Sequence, residues 1–255
     1  LALLSILPAQ PPHAIRFLFP YIQAPTNVPQ RTIAYTAINT PQFFKAYQSY
    51  VAKVVEAGHQ ASHMLSFWSG ITVEAIYGIV SNASSGRKDL QDQGTEKLVL
   101  ELLPVLNSCM RAKHGADTVL ACYAIVIMMV NQAKVGDKVL DGLTEAVIAA
   151  HDETSLQSCL SCLAIIAMER SKAQIPAKVS RKLLKVPQLV QKLTAVSQQC
   201  QVERLVLGCA LGALSDSSDE NRNMFNGLIA SGLLTTSHIH IVLSALVQLL
   251  RDSAP

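Results

Sequence analysis

In the stretch TPQFFKAYQSYVAKVVEAGHQ, the residues Phe43, Phe44, Tyr47, Tyr50, Val51, Val54 and Val55 recur at steps of three and four. That period places them on one stripe of an α-helix. Thr40 is positioned to cap this helix, Pro41 suits its first turn, and Gly58 suits its end. Almost every other segment repeats the same period, and no alternating run is bounded by hairpin dipeptides, so strands are not expected. The predicted helices fall into antiparallel pairs: 41–57 with 60–82, 95–113 with 116–132, 136–150 with 154–170, 187–200 with 202–215, and 220–231 with 236–251. Short polar links such as RAKHGAD and SDSSDEN separate them.

The pairs recur at roughly 35–45 residues, the range of HEAT or armadillo units. The stretch LVLELLPVLNSCMRAKHGADTVLACYAIVIMMV has the order of such a unit: a first helix with Leu-Leu-Pro-x-Leu, a turn with Asp117, and a nearly all-apolar second helix. A second helix of that kind is sandwiched between neighbouring repeats. The expected fold is therefore all-α, an α-solenoid of HEAT-like antiparallel helix pairs, forming a single domain over residues 1–255. Two places break the rhythm, a proline-rich start at about 6–30 and a polar loop at about 81–96, expected to be mobile.

Composition narrows the class. Hydrophobic residues make up 50% and charged residues 15%, against a usual charged share of about 25%. Disorder needs the opposite balance. Aromatics are only 5%, so aliphatic side chains fill the core. The longest apolar run, VLACYAIVIMMV at 119–130, falls short of the ~20 residues of a membrane span, so no membrane partner is expected. The opening LALLSILP lacks the basic stretch of a signal peptide and reads as the tail of a helix, making the chain a piece of something longer.

Chemistry candidates are few. Cys159 and Cys162 have the C-x-x-C spacing of zinc and redox sites. A zinc site needs a second pair, which does not follow closely, and a redox pair sits at a helix N-terminus after a strand, whereas these are mid-helix. They read as buried core thiols, and the six cysteines together suit a reducing compartment. His59 and His63 match H-E-x-x-H except that Gln60 replaces the general base, so a turn between helices is the better reading. His238 and His240 are spaced to point apart on a helix. Phosphate-loop, dinucleotide and nucleophile-elbow motifs are missing from the sequence. The expectation is a protein that is not an enzyme, with no cofactor, no metal and no small-molecule substrate.

Charge is most uneven in ERSKAQIPAKVSRKLLKVPQ, where Arg170, Lys172, Lys178, Arg181, Lys182 and Lys185 are opposed only by Glu169. This cluster is the candidate contact for RNA or for an acidic partner; the plainer reading is a solvated link between repeats. No aromatic side chain lies there to stack on bases. The net charge of +3 is too mild to diagnose nucleic-acid binding by itself.

The segments FLFPYIQ, RTIAYTAINTPQFFKAYQSYV, HMLSFWSGITVEAIYGIV, LVLELLPVLNSCMRAKHGADTVLACYAIVIMMV, SLQSCLSCLAIIAMER and VPQLVQKL occur in an order that carries a resemblance. Together they resemble the N-terminal region of the U3 small nucleolar RNA-associated protein 10 family, whose animal branch is HEAT repeat-containing protein 1. The resemblance spans roughly residues 1–200, rests on helix order and the Leu-Ser-Cys-Leu and Val-Pro-x-Leu signatures, and is nearest to fungal members. It implies a HEAT-repeat scaffold of the small-subunit processome, the 90S pre-ribosome, within the UtpA (t-UTP) subcomplex. It implies a nucleolar location in the nucleus, and a role in pre-rRNA processing toward 18S rRNA and early ribosome assembly. The implied partners are other UtpA subunits, built from β-propellers and helical tails. Direct, sequence-independent binding of the pre-rRNA 5′ external transcribed spacer is the alternative. An importin-like transport solenoid is a third reading, opposed by the proline-broken start.

Overall fold

The computed structural model describes residues 30–84, 88–214 and 218–252. Among these residues the regular elements are twelve α-helices and one short 3-10 turn, with no strand. The fold is all-α, as the period implies. The expected proline-rich start lies outside the described residues, apart from Gln30. The chain divides into two compact units. One holds the described residues up to Cys109 with Gln132–Lys134, and the other holds Met110–Asn131 with Val135 onward.

The first unit contains α1 (Gln30–Asn39), α2 (Pro41–Glu56), α3 (Ser62–Ser84) and α4 (Lys88–Cys109). Pro41 occupies the first turn of α2 behind Thr40, although the Thr40 side chain makes no capping bond. Gly58 ends α2 with φ +72°, and the His59 and Gly58 amides donate to Val54 O and Val55 O at 3.0 Å each. This is the paired closure that a left-handed glycine permits after a helix. Phe44, Val51 and Val55 are the buried apolar residues of α2, one face of the predicted stripe. Packing joins α1 to α3, and both α2 and α3 to α4. α1 and α3 run parallel and very close: a Cβ on Gly78 would meet Ile38 Cδ1 at 2.3 Å, and one on Gly70 would meet Gln30 Nε2 at 2.9 Å.

Two expectations change here. The polar loop at 81–96 is mostly helix, since α3 continues to Ser84 and α4 starts at Lys88. Polarity alone does not break a helix. By length and composition α3 also passes as a membrane span, which a search for unbroken apolar runs misses because Ser66, Ser69, Thr72 and Glu74 interrupt it. One face of it packs into the core, while Phe67 and Tyr77 stay exposed. Trp68, Ile71, Ala75 and Ile76 are fully buried within the unit. Trp68 Nε1 donates to Gln48 Oε1 at 2.7 Å, and Gln48 Nε2 donates to Thr72 Oγ1 at 2.9 Å.

The second unit contains α5 (Ala116–Gln132), α6 (Asp137–Ala150), α7 (Leu156–Glu169), α8 (Ala177–Leu183), α9 (Leu189–Ser197), α10 (Glu203–Leu214), α11 (Asp219–Ala230) and α12 (Thr236–Asp252). α5 buries most of its faces, and Tyr123 donates its hydroxyl to Val147 O of α6 at 3.0 Å. α6 and α7 are the antiparallel pair the pattern predicts: Cys159 near the start of α7 meets Val147 near the end of α6, while Arg170 beyond α7 meets Asp141 near the start of α6.

The later pairs differ from expectation. The segment read as a solvated link contains α8, whose Val179 and Leu183 are fully buried. α8 packs on α6 and α10, whereas α9 packs on α7 and α11. The main partners of α10 are therefore α7, α8, α11 and α12, not its predicted partner over 187–200. Likewise α12 packs chiefly on α10 rather than on α11. α10 comes close to α8 and to the link before it at GCALG, 208–212: a Cβ on Gly212 would run into Ser180 Oγ of α8, and one on Gly208 would meet Ile175 Cγ2 of the link at 2.8 Å. α12 keeps Leu243, Val247 and Leu250 exposed.

Candidate functional site

α6 carries Asp137, Asp141 and Glu145 at successive four-residue steps, which align on one helix face. The basic link crosses that ladder. Arg170 pairs with Asp141 through Nη1, and its Nη2 donates to Gln174 O at 2.9 Å. The Ser171 amide donates to Asp137 Oδ1 at 3.0 Å, and the Ser171 hydroxyl donates to Asp137 Oδ2. Those bonds hold the Asp137 carboxyl below its ordinary range, the Ser171 hydroxyl contributing most. Lys178 Nζ pairs with Glu145 at 3.0 Å.

The six candidate cations are therefore not all free on one surface. Arg170 is buried, with its side chain only 5% exposed, and it pairs inward with Asp141. Lys178 already has a carboxylate. Arg181 Nε donates to Ala177 O at 3.3 Å within its own helix. Lys172, Lys182 and Lys185 are exposed. Reading along the chain found only Glu169 as a counter-charge because the ladder lies some thirty residues upstream, where only folding brings it in.

Beside the link lies a groove of about 910 Å³. Its base is apolar, formed by the buried Ile148, Leu156 and Val186 with Pro187 as a wall. Lys182, Lys185 and Lys192 line it. So do Asp152 and Glu153, in the turn that leads into α7. The Asp152 carboxylate accepts from Ser155 N at 2.8 Å, Ser155 Oγ at 2.7 Å and Thr154 Oγ1 at 2.8 Å. With those donors around it, its pKa falls to about 2. The turn carrying Val186 and Pro187 ends at Gln188, which adopts φ 55°, a left-handed conformation that costs a non-glycine residue energy. Sequence reasoning found Lys182 and Lys185 but missed Lys192 and the apolar base. These come from different helices, and no spacing rule connects them.

The family model described as U3 small nucleolar RNA-associated protein 10 matches residues 98–213, a span that contains the ladder, the link and the groove. A protein of that name from Phaeosphaeria nodorum is 58% identical over 220 residues, covering 86% of this chain. The chain belongs to the U3 small nucleolar RNA-associated protein 10 family. Among other members, the Aspergillus clavatus protein is 34% identical over 85% of the chain, and the Coccidioides immitis protein is 29% identical over 98% of it. The likeness to the family thus continues past residue 200, where the sequence reading ended it. The chain spans 13%, 12% and 14% of the lengths of these three relatives.

The Leu-Ser-Cys-Leu signature of the family resemblance lies on α7, where both Cys159 and Cys162 are fully buried. Burial pushes the Cys159 thiol up to about 12 and Cys162 upward as well. Cys109 and Cys209 are raised by the same cause, to about 11 and about 12. No disulfide joins any of the six, and Cys200 is the one that is half-buried. The thiolate is the reactive form. In the native chain at pH 8, a maleimide is therefore expected to modify Cys200 first, and the other five only after denaturant is added. Mass spectrometry of a timed labelling series reads this directly. Early modification of Cys159 or Cys162 would contradict their place in the core.

Proposed function

We propose that this chain is a non-catalytic scaffold segment of the small-subunit processome, acting in the nucleolus within the UtpA subcomplex and supporting pre-rRNA processing toward 18S rRNA. It holds partner proteins, β-propeller and helical-tail subunits, on the faces of its helix pairs. Family membership supports the U3 ribonucleoprotein setting, because the relatives carry the name U3 small nucleolar RNA-associated protein 10. The observation that favours protein over RNA is the acidic ladder. Asp141 and Glu145 take Arg170 and Lys178 into ion pairs, and affinity for a polyphosphate scales with the cations left to neutralise it.

Direct binding of the 5′ external transcribed spacer is the second reading, favoured by Lys172, Arg181, Lys182 and Lys185, which remain exposed. The two readings separate in one experiment. The purified chain is passed over each immobilised UtpA subunit, and separately over spacer RNA, across a salt series. Retention by at least one subunit at physiological salt, without RNA retention, is expected. Retention by RNA alone, with a log–log salt slope of about 0.7 per phosphate on a single strand, overturns the scaffold reading.

A further inference from the structure

We propose that the groove between the entry to α7 and the α8–α9 turn docks an acidic amphipathic helix of a partner protein. Its apolar stripe would lie on Ile148, Leu156 and Val186, and its carboxylates would face Lys182, Lys185 and Lys192. The proposal deepens the scaffold reading and rests on it for the partner being a protein.

Charge complementarity selects the occupant. Among the described residues none of the three lysines makes an ion pair, in contrast to Arg170 and Lys178 nearby. Three ammonium groups without ion pairs at the groove call for carboxylates on the occupant. The apolar base beneath gives the arrangement of an interface, an apolar centre with a polar rim. One feature disfavours a nucleobase: apart from His151 the lining offers aliphatic rather than aromatic faces. Asp152 and the exposed Glu153 also line the groove and repel phosphates and carboxylates alike, so the glutamates of the occupant must lie toward the lysines. Among the described residues there is no strand edge to extend, so the occupant binds as a helix in a groove rather than as an added strand. The left-handed Gln188 holds Val186, Pro187 and Lys192 at the groove through a strained turn, and strain of this kind concentrates at ligand clamps.

The test uses a fluorescein-labelled synthetic peptide of roughly sixteen residues, long enough for four helical turns, with leucine on one stripe and glutamate along one flank of it. Two controls accompany it, one with lysine for glutamate and one with alanine for leucine. Fluorescence anisotropy with the whole chain should show saturable binding of the acidic peptide, with both controls weaker by about tenfold or more. The combined Lys182→Glu, Lys185→Glu and Lys192→Glu variant should lose that binding while circular dichroism shows unchanged helix content and an unchanged urea midpoint. Equal binding of the alanine control, undiminished binding by the variant, or no preference over the basic control each overturns the proposal. A polyuridine of the same length that binds more tightly than the peptide through these lysines makes the groove a phosphate site and also overturns it. If the peptide fails while the chain is still retained by a UtpA subunit, the groove assignment falls and the scaffold reading stands. If both fail, both fall.

Discussion

Replacing Trp68 by alanine is expected to cost about 3–5 kcal/mol of folding stability, the range for removing a fully buried large aromatic side chain. The indole is completely enclosed in the first unit. Its Nε1 donates to Gln48 Oε1 at 2.7 Å, and Gln48 Nε2 donates onward to Thr72 Oγ1 at 2.9 Å. The substitution opens a cavity and also leaves the Gln48 carbonyl without its donor, a buried polar group that costs about 1–3 kcal/mol when unsatisfied. Trp68→Phe separates the two effects: it refills most of the space but still orphans Gln48, so its loss should be near the lower figure. Whole domains are typically stable by only about 5–15 kcal/mol, so the alanine variant should unfold its unit at far lower urea. Circular dichroism against urea measures both variants. Trp68 is the single tryptophan, so in the parent its emission reports this unit alone and should shift to the red as the unit opens. A loss below about 1 kcal/mol for the alanine variant would show that the indole is not packed as described.

Arg170→Ala is expected to cost about 3 kcal/mol, the low end for breaking a buried ion pair by removing one partner. The low end applies because the Asp141 side chain is 44% exposed and regains water once Arg170 is gone. Asp141→Ala is the more informative change. It removes a half-exposed carboxylate, which on a surface is worth under about 1 kcal/mol. Here it strands the guanidinium of Arg170, whose side chain is only 5% exposed. Its cost should therefore approach that of Arg170→Ala, and the double variant should be less damaging than the sum of the two. A thermodynamic cycle by urea denaturation gives the coupling directly. If Arg170→Ala leaves stability unchanged and instead weakens binding to RNA, the residue belongs to a surface after all.

The contrast between Arg170 and Lys182 shows where sequence reasoning reached its limit. Both stand in one basic run, and nothing in the run tells them apart. Arg170 is drawn inward because α6 presents Asp141 to it, while Lys182 stays at the groove because no described carboxylate reaches it. The cysteines behave differently. Cys159 and Cys162 share a helix with Leu163 and Ile166, and their periodicity alone placed them inside. α8 shows a third kind of outcome. Seven residues with few apolar positions, AKVSRKL, carry too weak a period to show more than the start of a short helix after Pro176. Its Val179 and Leu183 become core because α8 packs on α6 and α10, where Gly212 leaves room for Ser180.

Residue order alone determined most of the helices. The three- and four-residue period, the proline at the start of α2 and the glycine after it are local features, and the energetics they encode act within a turn or two of the chain. The same local rules placed the thiols in the core and supported an all-α chain. Which helices become partners, which charges cancel and where a groove opens were decided by tertiary structure. Those outcomes depend on faces meeting across about thirty residues, as Asp141 meets Arg170 and Gly212 meets Ser180. Coulomb attraction and close packing act through space, within a few ångströms, and distance along the sequence does not measure that.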